Sequence, residues 1–205
     1  MIRETAYDEV FHAQRHFRSL LDSLSRPGTI NDLAPVLCTP PDGLHTATAL
    51  VAFALLNADV SFHVVNMREA VAAYLTANTN AKAAPIEVAV FVIANGQESH
   101  EAIEGATCGT LAYPDTSATL ILQVDALSRA AHAGCTKLTL QGPGIDGRAE
   151  VFAGPLNVDL LLALQARNAE FPLGIDTILT ADNRRSGRPR VMGLPRTTKV
   201  SWQIC

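Results

Sequence analysis

The stretch Glu87-Val-Ala-Val-Phe-Val-Ile-Ala94 decides how this chain is read. A continuous β-branched and aromatic run of this length is the mark of a central strand covered on both faces, because a half-exposed strand would alternate apolar and polar residues. Asn95-Gly96 closes it with turn chemistry, and Glu98 to Glu104 then suits a short helix. Upstream, Arg68 to Ala77 reads as a helix ended by Asn78-Thr-Asn80. Asp59 to Val65 alternates like a strand, and Leu44 to Asn57 reads as a buried helix. Farther out, Tyr7 to Leu24 is amphipathic at helical period. Val10, Phe17, Leu20, Leu21 and Leu24 share its expected core face, and Ser25-Arg26-Pro27-Gly28 stops it. Downstream, Ala118 to Val124, Thr136 to Leu140 and a short Thr177 to Thr180 are predicted strands. Arg148 to Phe152 looks extended, and Leu156 to Asn168 is a helix. Thr198 to Ile204 alternates as a sheet-edge strand with Val200, Trp202 and Ile204 on one face. Helices and strands alternate, yet some strands follow one another directly. The expected architecture is therefore one α/β domain over residues 1–205, with a mixed β-sheet flanked by helices.

The 205 residues are long enough to bury a core without disulfides or metal. A hydrophobic fraction of 48% with 18% charged residues excludes a disordered chain. The net charge of −4 hides an asymmetry. From Asn183 onward there are Arg184, Arg185, Arg188, Arg190, Arg196 and Lys199 and no acid, so the preceding residues carry −10. An acidic body argues against nucleic acid as partner. The basic tail fits a phosphorylated substrate or an acidic face of another subunit. Four scattered cysteines (Cys38, Cys108, Cys135, Cys205) form no Cys-x-x-Cys motif and read as reduced thiols. The N-terminal residues lack a signal-peptide pattern, and the most apolar run is too short and polar to span a bilayer. The expectation is a cytoplasmic protein that does not engage a membrane.

Tests for chemistry give few positives. Gly142-Pro-Gly-Ile-Asp-Gly147 matches a dinucleotide fingerprint, but extended residues follow it where a helix is needed, so a structural turn is the leading reading. His12 and His16 share a helix face but lack a third ligand, so no metal is expected. No nucleophile elbow or phosphate loop occurs, and the three lysines Lys82, Lys137 and Lys199 carry no mark of a Schiff base. Arginines stand out, because arginine is the bidentate partner of phosphate and carboxylate. Arg26 ends the first helix. Arg196 sits in Leu194-Pro-Arg-Thr-Thr198, where a guanidinium and two hydroxyls suit an oxyanion, and Asp176 is placed to orient it. The competing reading is that proline and glycine shape these loops and the polar groups cap them.

Several blocks, in chain order, resemble one family. They are Phe17-Arg18 with Leu24-Ser-Arg-Pro-Gly28, then Gly142-Pro-Gly-Ile145, then Asn168 with Phe171-Pro-Leu-Gly-Ile-Asp176, then Leu194-Pro-Arg-Thr-Thr198. Together they are similar to the H subunit of the bacterial carbon–phosphorus lyase system for phosphonate use, from about residue 7 to the end. The resemblance implies a fold similar to pyridoxal-phosphate-dependent transferases without that cofactor. It implies a homodimer joined to G, I and J subunits. With an L subunit, the complex would form ribose 1-methylphosphonate 5-triphosphate from MgATP and methylphosphonate. No catalytic residue carries over. Within the blocks, Arg26, Gly142, Gly144, Asp176, Arg196 and Thr197 are the expected ligand-binding residues. The expected role is a subunit of this transferase. The alternatives are a stand-alone transferase, or a binding protein for a phosphorylated small molecule.

Overall fold

The computed structural model describes residues 3–66, 69–182 and 187–205. In chain order the elements are α1 (Phe11–Ser25), β1 (Asn31–Asp32), α2 (Thr46–Leu55), β2 (Ser61–Val64), α3 (Glu69–Thr79), β3 (Lys82–Ala83) and β4 (Phe91–Asn95). Then follow α4 (Glu101–Glu104), β5 (Thr119–Gln123), β6 (Ala126–Ser128), β7 (Thr136–Gln141), β8 (Ala149–Gly154), α5 (Val158–Arg167), β9 (Asp176–Asp182), β10 (Pro189–Leu194) and β11 (Lys199–Ile204). The first residue of the predicted third helix, Arg68, and the tail residues Arg184 and Arg185 lie outside the described residues.

The apolar run becomes strand only at Phe91, because Ile86–Val88 forms a 3₁₀ turn after Pro85. The cause is its partner's length. Ser61 opens β2, and it accepts from the Val90 amide and donates through Oγ to the Val88 carbonyl, so the ladder has no partner further back. From there β4 behaves as expected. It lies between β2 and β5 in a seven-stranded sheet of order β1-β10-β9-β5-β4-β2-β3. The strands from β3 to β9 run parallel, and β10 and β1 are antiparallel additions. The sheet is therefore mixed and flanked by helices. Successive residues bury on opposite faces. Ile93, Ile121, Ile178 and Val191 join α1, α2 and α3, whereas Val92, Leu120, Leu122, Leu179 and Met192 join α5 and a second sheet. That second sheet is antiparallel, of order β11-β7-β8-β6, and β11 is its edge as predicted.

Two expectations are corrected. The core face of α1 is formed by His16, Leu20 and Ser23, while Val10, Phe17 and Leu21 are exposed. Polar groups win this face because each has a partner. His16 Nε2 lies 2.9 Å from the Ala34 carbonyl, and Ser23 Oγ accepts from Asn31 at 2.9 Å. Strand β10 was not among the predicted strands. Pro189 opens the strand, where no amide is needed, and its carbonyl accepts from Leu33. A Cβ on Gly193 would fall 2.5 Å from the Ser23 carbonyl, so glycine lets α1 lie directly on the strand. No helix among the described residues is long and apolar enough to cross a membrane.

Candidate functional site

The structure places the predicted ligand residues in different settings. Arg196 lies just before β11 and Asp176 opens β9. The Arg196 amide and Nε donate to the two Asp176 oxygens at 2.8 and 3.2 Å, and Nη2 adds a 2.6 Å bond. Nη2 also donates to Ser117 Oγ at 2.5 Å, and Nη1 to the carbonyls of Pro114 and Pro172 at 3.0 and 3.2 Å. A guanidinium has five N–H groups, and all five are used, so none is left for an oxyanion. Asp176 does orient Arg196, but the product is a clamp joining three loops.

The remaining residues differ from that clamp. Arg26 is exposed and pairs with Asp22 one turn earlier; Asp22 also accepts from Asn31, and these bonds hold its carboxyl below the usual range. Gly144 has φ +79°, and a Cβ there would fall 2.1 Å from the Ser25 carbonyl. A Cβ on Gly142 would fall 3.0 Å from the Thr197 carbonyl. The Leu24–Gly28 turn, the Gly142–Ile145 turn and the Leu194–Thr198 loop are thus packed against one another. Among the described residues Arg26 and Arg196 nevertheless share no partner. Thr197 is exposed beside an apolar hollow of about 470 Å³ between α5 and β11, walled by Leu161, Leu164, Val200 and Trp202. Of the basic tail, Arg188 and Arg190 both reach Asp32.

The histidine pair is likewise committed. His12 Nδ1 accepts from the Asp8 amide at 2.9 Å, and burial holds the His16 pKa below its ordinary value. Among the described residues, no cluster of three His, Cys, Asp or Glu side chains is placed to hold a metal.

A different region has the character of a site. The connection leaving β2 passes through α3 on the face of α1 and α2, and the connection leaving β4 passes through α4 on the other face. Adjacent parallel strands whose connections part in this way open a crevice at their carboxyl ends. Here that crevice is a cleft of about 330 Å³. Its apolar floor is Val64, Ile93 and Leu44, and its rim carries Asn66, Asn95, Gln97, Glu98 and Gln123. Asn66 donates to Glu98 Oε2 at 2.6 Å, and the Asn95 side chain accepts from the Gln97 amide at 3.0 Å. Gln123 is buried at the end of β5, accepts from the His45 amide and from Thr48, and donates to the Gly43 carbonyl at 2.7 Å. Asp182 at the end of β9 caps α2 through the amides of Thr46 and Ala47, so that helix start is already occupied. Carboxamides with one carboxylate bond hydroxyl groups and neutral ring edges, and no lysine or arginine lines the cleft among the described residues.

Sequence reasoning missed this cleft. Its readable trace is a carboxamide ending each of two apolar strands, Asn95 after Phe-Val-Ile-Ala and Gln123 after Thr-Leu-Ile-Leu.

Comparison with known proteins agrees with the blocks. Residues 5–201 match the family described as bacterial phosphonate metabolism protein (PhnH). The chain is 34% identical, over 94% of its length and 92% of the relative's, to the alpha-D-ribose 1-methylphosphonate 5-triphosphate synthase subunit PhnH of Rhizobium meliloti. It is 29% identical, over 92% of its length and 85% of the relative's, to the putative C-P lyase subunit protein HtxG of Stutzerimonas stutzeri.

Proposed function

The chain belongs to the bacterial phosphonate metabolism protein (PhnH) family, and on that premise we propose that it is a subunit of a carbon–phosphorus lyase complex, required with its partners to form ribose 1-methylphosphonate 5-triphosphate and inactive alone. The observation that carries this reading is the family match over residues 5–201. The saturated Arg196 supports it, because that guanidinium keeps no donor for a substrate of its own. In this reading the chain works in the cytoplasm as one domain and a homodimer beside G, I, J and L subunits. MgATP is then a substrate of the assembly. The fold likeness to pyridoxal-phosphate-dependent transferases belongs to the same reading.

We assign the cleft at the ends of β2, β4 and β5 to the ribosyl part of that substrate. A carboxylate such as Glu98 accepts from neighbouring hydroxyls, and the amides add direction. Deletion of the gene should abolish growth on methylphosphonate as sole phosphorus source, and a deletion strain that grows normally would overturn the assignment of role. Glu98→Gln in the reconstituted complex should raise the KM for ATP several-fold with little change in kcat. An unchanged KM removes the cleft from the reaction.

A further inference from the structure

Strand register brings together two cysteines that are far apart in sequence. In the β11–β7 ladder Lys199 faces Gln141 and Ile204 faces Thr136, and the next step places Cys205 opposite Cys135. The Cys205 amide continues the ladder by donating to the Cys135 carbonyl at 3.0 Å. Directly opposed residues of antiparallel strands project to the same side with Cβ atoms about 4.5–5.5 Å apart, against about 3.8 Å in a disulfide. The needed closure of about 1 Å is available at an exposed strand end such as Gln203–Cys205. The neighbouring Cys135 thiol is also the main reason that the Cys205 pKa lies above the ordinary thiol value. Access is asymmetric. Cys135 is 1% exposed, with the His132 amide 3.5 Å from its sulfur, whereas Cys205 is open to solvent.

We propose that Cys135 and Cys205 form an oxidative modification site that closes into an intramolecular disulfide on exchange with a small-molecule disulfide such as oxidised glutathione. The Cys205 thiolate attacks one sulfur of that reagent and expels one glutathione thiolate, leaving a mixed disulfide on the exposed cysteine. The Cys135 sulfur, once deprotonated, attacks Cys205 Sγ and expels the second glutathione. Two protein thiols are oxidised to one disulfide, oxidised glutathione is reduced to two glutathione molecules, and these take up the two thiol protons. Burial of Cys135 leaves its neighbour as the sulfur positioned to reach it. The product would pin the edge strand β11 to β7 and close a loop of about 70 residues.

The full chain is treated with oxidised glutathione near the ~8.5 pKa of a free thiol, quenched with N-ethylmaleimide, digested and sequenced by mass spectrometry. The expected result is one linked peptide pair containing Cys135 and Cys205, with Cys38 and Cys108 still alkylated. The oxidised protein should melt about 5–10 °C higher than the reduced one, as a disulfide closing a long loop requires. Cys205→Ser, an exposed substitution that leaves the fold intact, should abolish both the linkage and the shift. Stable glutathione on Cys205 without internal linkage, or a linkage through Cys38 or Cys108, would overturn the proposal. So would four free thiols after prolonged treatment.

Discussion

Replacing Arg196 by alanine separates a clamp from a ligand contact. The Arg196 side chain is 14% exposed and that of Asp176 is 30% exposed, so protein surrounds most of the ion pair. Truncation deletes five side-chain hydrogen bonds and strands the Pro114 and Pro172 carbonyls, the Ser117 hydroxyl and part of the Asp176 carboxylate. Breaking a fully buried pair from one side costs about 3–5 kcal/mol. Water can reach the more open Asp176, so the lower end applies, about 3 kcal/mol. In a chain of this length that lowers Tm by about 6–12 °C. Arg196→Lys keeps the charge but has three donors and no planar fork, so it should recover only about half of the loss. Melting followed by circular dichroism measures both variants, and Asp176→Asn in the alanine background should cost far less than in the parent, because the partners act as one unit. An alanine variant melting within about 2 °C of the parent would refute the clamp. So would a lysine variant of parental Tm that has lost complex activity, since the guanidinium would then be acting on a ligand.

Gly144→Ala should be destabilising by several kcal/mol, because φ is +79° and the new Cβ meets the Ser25 carbonyl at 2.1 Å. Gly147→Ala, at φ +67° with open space around it, should cost only about 1 kcal/mol; equal urea midpoints for the two would sink the close-approach argument. The buried His16 has a pKa below its ordinary 6.5, so the unfolded chain binds a proton that the folded chain refuses. Stability from this group is therefore complete above about pH 6.5 and is lost as pH falls toward the depressed folded value. His16→Gln should flatten the Tm profile between about pH 7 and 5; a variant with the parental slope would assign that slope elsewhere. Gln123→Leu removes the acceptor of the His45 amide and Thr48 and the donor to Gly43, so the denaturation midpoint should fall by the equivalent of about 2–3 kcal/mol. A parental midpoint would show that water replaces those bonds freely.

The physics of burial explains which parts of this molecule could be read in advance. Phe91–Asn95 and Thr119–Gln123 are covered on both faces, and double coverage leaves an unbroken apolar run that flanking turn residues mark as strand. Helix α1 carries the opposite lesson. Its apolar stripe is wider than its contact, so periodicity shows that a core face exists without deciding which edge of the stripe turns inward. His16 and Ser23 settle that choice through partners far along the chain, Ala34 and Asn31, and Phe17 and Leu21 are left in solvent. At the expected ligand residues, residue type alone admits two readings. Glycine is what a phosphate loop requires, but it is equally what two backbones need in order to touch, as Gly144 and Ser25 do. Arginine forks onto phosphate, but it forks equally well onto Asp176, Ser117 and two carbonyls. Residue type therefore could not separate recognition from packing at these blocks; the count of unspent donors could, and for Arg196 that count is zero. The cleft lined by Asn95, Gln97, Glu98 and Gln123 lies at the carboxyl end of β4, the strand from which the fold was first read, and no arginine competes there among the described residues.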